Sequence, residues 1–369
     1  MMIWLIIVCY ALPLFFLVVL GRFFLYQRAK KNNQNCRPSS LINLHELTVV
    51  VPFRNEEKNL KHFISSIECS TTLPKQFIFI NDHSEDNSVA YLDAVAETRK
   101  DLKILHLKTK YFGKKHAIRL GMRASETAFV LLLDADVVFD SQFFEHLSTT
   151  TACDLIILPV EMQAVKWFQH FFVIDVNIAN AVNEGMYGLY RPVMASGANM
   201  LVKRDNFLKW DTQSDFIYHG GDDLNILKDF IQNKAAIGLE VAKKYSVLTA
   251  TPSNLTAYIS QRLRWIGNAR RVKDQLNTIL MLLQVGLTIL YFAVIFYFLS
   301  NNLLLEALFL FCSKVVIDMI VFFDFFSQRK QLSTWILIPI YEVLFPIILF
   351  FLTLGSFFAK IKWKGRAIN

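Results

Sequence analysis

The chain has 369 residues, a formal net charge of +8 and 54% apolar residues, among them 33 phenylalanines. This composition is too apolar for a soluble enzyme of that length, and the excess of apolar residues lies at the two ends of the chain. The sequence therefore predicts a membrane protein that carries one domain of ordinary globular composition between apolar segments.

The first apolar segment, Met1 to about Leu20, can cross a hydrocarbon core of about 30 Å at about 1.5 Å per residue. Basic residues such as Arg22 and Arg28 follow this segment, no charge precedes it, and it offers no small-residue cleavage site. Because basic residues favour the cytoplasmic side of a membrane segment, we expect an uncleaved anchor with everything after it in the cytoplasm. The predicted anchor is residues 1–26, and the linker that follows it is residues 27–46.

Three more apolar stretches lie in the C-terminal third, at Thr278 to Leu299, Leu303 to Phe323 and Trp335 to Phe358. Short polar breaks separate them. We therefore expect residues 276–369 to form a membrane region of about three apolar segments. Residues 47–275 are then a domain that lies between membrane segments.

The length of the last apolar stretch and the charge of the residues after it give conflicting indications of the topology. Three full spans would place the basic C-terminal residues outside the cell, against the positive-inside rule. The stretch contains Pro339, Pro346 and the charged Glu342, and broken backbone at membrane depth is tolerated where protein surrounds it. We therefore predict that this stretch re-enters and returns, which leaves the C-terminus in the cytosol.

The positions of the basic residues and of the cysteines argue against nucleic-acid binding and against a zinc site or disulfide framework. Many lysines and arginines flank the apolar segments, as membrane-surface contacts do, so we expect a lipid bilayer and no nucleic acid as partner. The cysteines lack CxxC spacing and two of them lie in apolar segments, so we expect reduced packing residues without a zinc site or disulfide framework. The five positions are Cys9, Cys36, Cys69, Cys153 and Cys312.

Strand-like and helix-like segments alternate in the central domain. The helix predicted after Asn55 has apolar residues at helical spacing, and further helices are predicted at Val89 to Thr98 and Lys114 to Ala124. Such alternation indicates a mostly parallel sheet with covered faces. The predicted strands are Leu47 to Pro52, Gln76 to Ile80, Leu102 to Leu107 and Ala128 to Leu133.

Polar residues follow the predicted strands. Arg54 and Glu56 come after the first strand, Asp82 after the second, and Asp134 and Asp136 after the fourth. The carboxyl ends of parallel strands meet at one edge of the sheet, where ligands bind, and spaced carboxylates suit a hard divalent cation that carries phosphates. A GxGxxG turn is missing after the first strand, so the sequence predicts a nucleotide held by carboxylates and a metal rather than a dinucleotide.

These motifs resemble, in order and spacing, those of the family-2 glycosyltransferases over roughly Leu47 to Asn268. The resemblance implies a GT-A fold, which is a Rossmann-like α/β domain with a mostly parallel central sheet, here cytosolic and joined to α-helical transmembrane segments. It also implies a nucleoside-diphosphate sugar donor such as a UDP-sugar, a divalent cation (Mg or Mn) and inversion at the anomeric carbon. The motifs are Val50-Val51-Pro52-Phe53-Arg54-Asn55-Glu56-Glu57, Asn81-Asp82, Gly113-Lys114-x-x-Ala117-x-x-x-Gly121, Asp134-x-Asp136, Ser196-Gly197-Ala198-Asn199, Gly221-Asp222-Asp223 and Gln261-x-x-Arg264-Trp265.

The resemblance also implies a role for each matching residue. Asp136 would hold the metal on the diphosphate, Asp134 would contact either the ribose or the metal, and Asp223 would be the general base. The family usually has Glu-Asp at this last motif, and this chain has Asp222 before the base. Asp82 would contact uracil or ribose, with a helix N-cap as the alternative, and Lys114 would face phosphate, with a solvated surface lysine as the alternative. The implied nucleotide-sugar contacts are Pro52, Arg54, Glu56, Asp82, Lys114, Asp134, Gln261, Arg264 and Trp265.

Two segments have patterns that fit either a membrane surface or the interior of the protein. Thr251-Pro252 predicts a helix entry with Pro at the first position, and Gln261, Arg264 and Trp265 then share one helix face. The same helix could lie on anionic lipid, and both interpretations are compatible. The aromatic segment Val165 to Ile178 is either a second interfacial helix or core packing.

The sequence thus predicts a multi-pass membrane glycosyltransferase with its catalytic domain on the cytosolic face of the cell membrane. A processive polysaccharide synthase, which extends a growing glycan, generally needs more helices to form a polymer channel. The few membrane segments therefore favour a lipid acceptor and the lipid-glucosylating branch of the family, with the polysaccharide synthase as the alternative. A membrane scaffold with an inactive GT-A-like domain is a further alternative, against which the presence of Asp136 and Asp223 argues.

Overall fold

The computed structural model describes residues 2–30, 40–211, 222–358, 362–363 and 366–367. The chain divides into two compact units. The sheet unit comprises residues 31–163, 194–250 and 360–369, and the helical unit comprises residues 1–30, 164–193 and 251–359. Residues 164–193 and 251–275, which the sequence assigned to the central domain, thus belong to the unit that contains the apolar helices.

Strands and helices have the following bounds. The strands are β1 Leu47–Phe53, β2 Gln76–Asn81, β3 Leu102–His106, β4 Phe129–Leu133, β5 Val137–Phe139, β6 Leu155–Ile157, β7 Val160–Gln163, β8 Asn199–Lys203, β9 Ile237–Leu239, β10 Val247–Ala250, β11 Lys362–Trp363 and β12 Arg366–Ala367. The helices are α1 Met2–Leu14, α2 Gly21–Lys30, α3 Glu57–Glu68, α4 Ser88–Thr98, α5 Lys114–Ala124, α6 Phe143–Leu147, α7 Gln169–Leu189, α8 Arg204–Trp210, α9 Asp222–Gln232, α10 Leu255–Val272, α11 Gln275–Ser300, α12 Leu304–Gln328, α13 Leu332–Trp335 and α14 Ile338–Phe358. A π-helical stretch, Phe15–Leu20, joins α1 to α2.

A twisted sheet with the order β3-β2-β1-β4-β8-β6-β9 forms the centre of the sheet unit. Its pairs are parallel except for the two that β8 makes with β4 and β6. The predicted mostly parallel α/β sheet is confirmed. The core below it is aromatic, with Phe63 of α3 packed edge-on against Phe79 of β2 and Phe139 of β5.

Strand β1 is the point at which the strand order of the sheet reverses. Strands β2 and β3 add to one side of β1, and β4 adds to the other side. A crevice at such a switch point, outside the carboxyl ends of the strands, is where open α/β sheets bind ligands. Strand β8 runs antiparallel to β4 with Asn199 opposite Leu133, so the residues before β8 reach the same edge.

Helix α7 is the buried centre of the helical unit and carries two acids that each bind several other helices. Glu184 accepts from Arg22 of α2 at 2.9 Å and from Arg329, at the end of α12, at 2.8 Å. Asp175 contacts α10 and α14. Of the two interpretations of the aromatic segment at Val165, core packing therefore describes most of α7, although Val165 and Trp167 before it are exposed.

Three helices in the described part of the chain are long and apolar enough to cross a membrane: Ile6–Gln27, Gln275–Ser300 and Ile338–Ser356. Helix α12 is long but carries buried charges, with Lys314 ion-paired to Asp318 at 2.7 Å and to Glu342 of α14. The reversal predicted within the last apolar stretch is wrong, because α14 runs unbroken from Ile338 through Pro346 to Phe358. The predicted cytosolic C-terminus falls largely on residues outside the described ranges.

Two further expectations need correction. Helix α10 begins at Leu255 and not at Pro252, because the side chain of Asn254 caps it by accepting from Ala257 N at 2.9 Å. Cys153 is disulfide-bonded, so the expectation that all cysteines are reduced was wrong at this position. A disulfide requires the two α-carbons to lie within about 7 Å, which is a property of the tertiary fold that sequence spacing does not report. Cys9, Cys69 and Cys312 are free thiols, as expected.

Candidate active site

Arg54, directly after β1, shapes the turn that follows β2. Its Nη1 donates to the carbonyl oxygens of Asp82 at 3.1 Å and His83 at 3.0 Å, and its Nη2 lies 3.0 Å from a carboxylate oxygen of Glu85. The guanidinium is nearly fully buried, so these contacts form away from solvent. The sequence placed Arg54 among the nucleotide contacts, and its contacts in the structure support the neighbouring loop.

Asp82 joins the end of β2 to the start of α5. Its Oδ2 accepts from the backbone N–H of Gly113 at 3.0 Å, and its Oδ1 lies 3.1 Å from Nδ1 of His83. Gly113 has φ 92°, a conformation that strains any residue with a Cβ, which explains the glycine immediately before α5. Asp82 therefore caps neither α4 nor α5 in the usual way, and it fixes the loop that leads to Lys114.

Pro52 and Glu56 flank this turn. Pro52 is a half-buried residue of β1. The carboxylate of Glu56, just before α3, accepts from Asn59 Nδ2 at 2.6 Å, and its backbone N–H donates to Ser88 Oγ at 2.9 Å. Both residues lie at the carboxyl end of β1, as the sequence predicted.

Helix α5 brings Lys114 to the end of β4. The ammonium of Lys114 is ion-paired with the carboxylate of Asp134, and both side chains are only partly exposed. A Cβ at Gly121 would lie 2.4 Å from Cγ1 of Val50, so the glycine allows α5 to pack close against β1. Lys114 is thus a partly buried, ion-paired lysine rather than a solvated surface lysine.

The loop before β8 and the start of α9 complete this cluster. The backbone N–H of Gly197 lies 3.4 Å from Oδ2 of Asp223, and the N–H of Leu224 donates to Oδ1 of Asp223 at 2.8 Å. A Cβ built on Gly197 would lie 3.1 Å from Nζ of Lys114 and 3.7 Å from Cβ of Asp223. The structure therefore brings together Lys114, Asp134, Gly197 and Asp223, while Gly221 of the same motif lies outside the described residues.

The cluster shifts the pKa of each charged group that it buries. Burial raises the pKa of Asp222 to about 6, although the nearby Lys114 ammonium opposes that rise. Burial also raises the pKa of Asp223, against the lowering effects of Lys114 and of the two N–H donors. Burial lowers the pKa of Lys114, but the Asp134, Asp223 and Asp222 carboxylates outweigh it, so its pKa is raised and it stays cationic.

Gln261, Arg264 and Trp265 lie on α10 in the helical unit. Trp265 is 40% exposed, and the guanidinium carbon of Arg262 lies 4.3 Å from the centre of its indole ring. Oε1 of Gln261 is buried and has no hydrogen-bond partner within the described part of the chain. A polar atom in that state is suited to a ligand.

Comparison with known proteins decides the family. The sequence profile of glycosyl transferase family group 2 matches residues 129–354, more than half of the chain, and that of glycosyl transferase family 2 matches residues 48–150. The chain belongs to the family-2 glycosyltransferases. The predicted family and GT-A fold are confirmed.

Relatives of this glycosyltransferase share only part of its length. A 4,4'-diaponeurosporenoate glycosyltransferase of Staphylococcus aureus is 33% identical over 97 residues, which cover 26% of this chain and 25% of that protein. An uncharacterized glycosyltransferase of Synechocystis is 34% identical over 95 residues, which cover 25% of this chain and 30% of that protein. The match thus spans about a quarter of the first relative and under a third of the second.

A solved structure shares the fold over nearly the whole chain. The mannosyltransferase PcManGT of Pyrobaculum calidifontis, in complex with GDP-Man and Mn²⁺, has a TM-score of 0.54 and 15% identity. The match covers 96% of this chain and 99% of that chain. At this identity the likeness bears on the fold alone.

The carboxylates of this glycosyltransferase fit a divalent cation that shares its coordination with a substrate. Asp134 is half-exposed and Asp136 is exposed at the end of β4. The described residues contain no group of three or more His, Cys, Asp or Glu side chains arranged for a metal. Mg²⁺ bound to a nucleotide typically takes one or two carboxylates and completes its shell with phosphates and water, so two acids suffice.

Sequence reasoning missed two groups of contacts. Gly197 was part of a quoted motif, but its N–H contact with Asp223 depends on β8 inserting antiparallel beside β4. The sequence did not indicate that Asp175 and Arg262 are partners. Their ion pair forms only because α7 and α10 pack together in the tertiary fold.

Proposed function

We propose that this glycosyltransferase transfers a sugar from a nucleoside-diphosphate sugar, a UDP-sugar in the first instance, to a lipid acceptor with inversion. The observation that carries the proposal is the convergence of Lys114, Asp134 and Asp223 at the switch-point edge of the sheet. Such a transfer requires a positive charge for the phosphates, an acid that binds a metal and an acid that accepts a proton.

Asp223 takes the proton in this proposal. The acceptor hydroxyl oxygen forms a bond to the anomeric carbon while the bond from that carbon to the diphosphate breaks. The hydroxyl proton passes to Asp223, and the nucleoside diphosphate leaves with the electron pair. Because burial raises the pKa of Asp223, it is a better proton acceptor than an exposed aspartate. The two N–H donors, Gly197 and Leu224, hold its carboxylate in place.

Asp134 and Asp136 would hold a divalent cation, Mg²⁺ or Mn²⁺. When bound, such a cation neutralises charge on the departing diphosphate. Lys114 would add a fixed positive charge beside Asp134 that attracts the phosphates. The solved neighbour contains GDP-Man and Mn²⁺, which makes a nucleoside-diphosphate sugar and a divalent cation the first ligands to test.

The remaining donor contacts are proposed from the family resemblance. Asp82 would contact uracil or ribose, with Pro52, Arg54 and Glu56 around it. Two features support a ligand-binding role for the helix that also carries Arg264. Oε1 of Gln261 is buried without a hydrogen-bond partner among the described residues, and Trp265 is partly exposed.

The proposed acceptor is a lipid, because the described chain has three candidate membrane spans and not the larger set that a polymer channel generally needs. The test is incubation of purified protein with radiolabelled UDP- and GDP-sugars, Mg²⁺ or Mn²⁺ and a membrane lipid extract. We expect product that partitions into organic solvent, carries one or a few sugars by mass spectrometry, and has the opposite anomeric configuration by NMR. Long water-soluble polymer would favour a polysaccharide synthase, and no turnover of any donor would favour an inactive scaffold.

The proposed location is the cell membrane with the sheet unit in the cytosol. The loop Ser300 to Asn302 between α11 and α12 would then face outward. We expect a cysteine placed at Asn301 to react with an impermeant thiol reagent in intact cells, above the background of the parent protein. A cysteine at the exposed Lys58 of α3 should react only after permeabilisation. The reverse labelling pattern would place the sheet unit outside.

A further inference from the structure

Asp175 of α7 is the point at which three helices of the helical unit meet. Its Oδ2 accepts from the hydroxyl of Tyr258 at 2.8 Å and forms an ion pair with Nε of Arg262 at 2.6 Å, both on α10. Its Oδ1 accepts from the hydroxyl of Tyr341 on α14 at 3.2 Å. One carboxylate therefore holds one turn of α10 against two other helices.

The ion pair continues to Trp265 through Arg262. The guanidinium carbon of Arg262 lies 4.9 Å from the ring centre of Tyr258 and 4.3 Å from that of Trp265. Tyr258 lies one helical turn before Arg262 and Trp265 one turn after it. The planar guanidinium therefore contacts an aromatic ring on each side, through stacking and cation–π attraction. Asp175 contacts Arg262, and Arg262 contacts Trp265, so an unbroken series of contacts joins the acid to the indole.

The aromatic side of this assembly is rigid. The ring of Tyr258 stacks on Phe172 of α7 with centroids 4.2 Å apart and an interplanar angle of 9°. Burial raises the pKa of the Tyr258 hydroxyl, and the Asp175 carboxylate raises it further, so this hydroxyl remains a hydrogen-bond donor. Arg262 is nearly fully buried, whereas Trp265 is 40% exposed. The buried residues are fixed by packing, and the exposed indole is the part left to meet a ligand.

We propose that Asp175 is a positioning residue for the Gln261, Arg264 and Trp265 face of α10, acting through Arg262. The inference rests on the proposed function, which assigns that face to the nucleotide sugar and acceptor. Misplacement of a binding group by about 1 Å can lower a rate on the order of 100-fold even when the altered residue is remote from the chemistry. A partly buried acid that fixes the rotation of α10 would act in this way.

The principal test replaces Asp175 by Asn, which keeps hydrogen-bond acceptance but removes the charge that holds Arg262. The protein is labelled with 5-fluorotryptophan, and the resonance of Trp265 among the six tryptophans is assigned with Trp265→Phe. We expect Asp175→Asn to move the ¹⁹F resonance of Trp265, to leave that of Trp210 on α8 unchanged, and to lower kcat/KM on the order of 100-fold.

Two further variants separate positioning from simple destabilisation. Arg262→Lys keeps the charge facing Asp175 but loses the planar group stacked on Trp265, so it should reproduce both the resonance shift and the loss of kcat/KM. The double variant should be no worse than either single one, because the two residues act in series. The matched control is Asp324→Asn. It removes a largely exposed acid that is ion-paired with Arg22 at 2.8 Å, and it should retain wild-type kinetics and the wild-type Trp265 resonance.

The outcomes distinguish this inference from the proposed function. If the wild-type protein turns over no nucleotide sugar, the proposed function fails, and the Trp265 resonance still decides whether Asp175 sets the indole position. Folded Asp175→Asn or Arg262→Lys protein with an unmoved Trp265 resonance, or with a moved resonance and wild-type kcat/KM, overturns the positioning role. If Asp175→Asn fails to fold, Arg262→Lys carries the same test.

Discussion

The ammonium of Lys114 is ion-paired with the carboxylate of Asp134, although the two residues lie 20 positions apart in the chain. Asp222 and Asp223 also lie close enough to affect the pKa of this lysine. One cation thus lies close to three acids, and its loss should raise the pKa values of Asp222 and Asp223.

Lys114→Met should move the acidic limb of the pH profile of kcat/KM to higher pH. Lys114 lowers the pKa values of Asp222 and Asp223, so its removal raises them, and the proton acceptor ionises only at higher pH. The donor KM should also rise, because the variant lacks the charge that we propose to lie beside the phosphates. Lys58→Met, which removes an exposed lysine on α3, is the control and should leave both quantities unchanged. An unshifted acidic limb in Lys114→Met would show that Lys114 does not act on the base.

Asp222→Asn should stabilise the protein at neutral pH and have no effect in acid. The folded-state pKa of Asp222, about 6, lies above its unfolded value of 3.8, so the folded state binds the extra proton between these values. Stability therefore falls as pH rises from about 4 to about 6, and above that the buried carboxylate costs about 3 kcal/mol. The measurement is the thermal unfolding temperature of both proteins, without donor, from pH 4.5 to 8. A constant difference across this range would contradict the prediction.

Asp136→Asn and Asp223→Asn should fail in different ways. Asp223→Asn keeps the metal ligands but lacks the proton acceptor, so we expect normal metal-dependent donor affinity and a rate lower by about 10² to 10⁴-fold. Asp136→Asn loses a charged oxygen ligand, so the metal dependence of donor binding should be lost with the rate. Donor binding by calorimetry with and without Mn²⁺, together with turnover, separates the two. Ordinary turnover by Asp223→Asn would end its assignment as base and make Asp222 the next residue to test.

The parallel half of the sheet could be predicted from the sequence because its signals are local. Strands β1, β2 and β4 are short, mainly apolar runs with polar residues directly after them. The buried face of α3, formed by Leu60, Phe63, Ile64 and Ile67, has strict helical spacing. Burial on both faces of a parallel strand leaves a continuous apolar run in the sequence. The carboxylates at the strand ends then follow from the topology.

The contacts made by α7 could not be predicted, because they are tertiary. Asp175 and Glu184 look alike in sequence, as single acids in an aromatic, apolar segment. Their partners come from parts of the chain 83 to 166 residues away, and no periodicity in α7 reports them. For the same reason the sequence could not assign residues 164–193 to the helical unit.

Gly185→Ala should destabilise the helical unit severely, because α7 and the N-terminal helix approach each other at glycines. An added Cβ at Gly185 would lie 1.9 Å from the carbonyl oxygen of Leu17, and one at Gly188 would lie 1.8 Å from that of Gly21. Both added Cβ atoms would clash with backbone atoms, so no side-chain rotation relieves the clash. The loss of folding stability should reach at least the value of about 1–3 kcal/mol that is typical of overpacking. Gly286→Ala on α11 is the matched control, since nothing lies within 4 Å of its added Cβ, and it should be neutral or slightly stabilising. The thermal unfolding temperatures in detergent should therefore fall for Gly185→Ala and not for Gly286→Ala. Equal unfolding temperatures for the two variants would show that α7 and the N-terminal helix do not pack this closely.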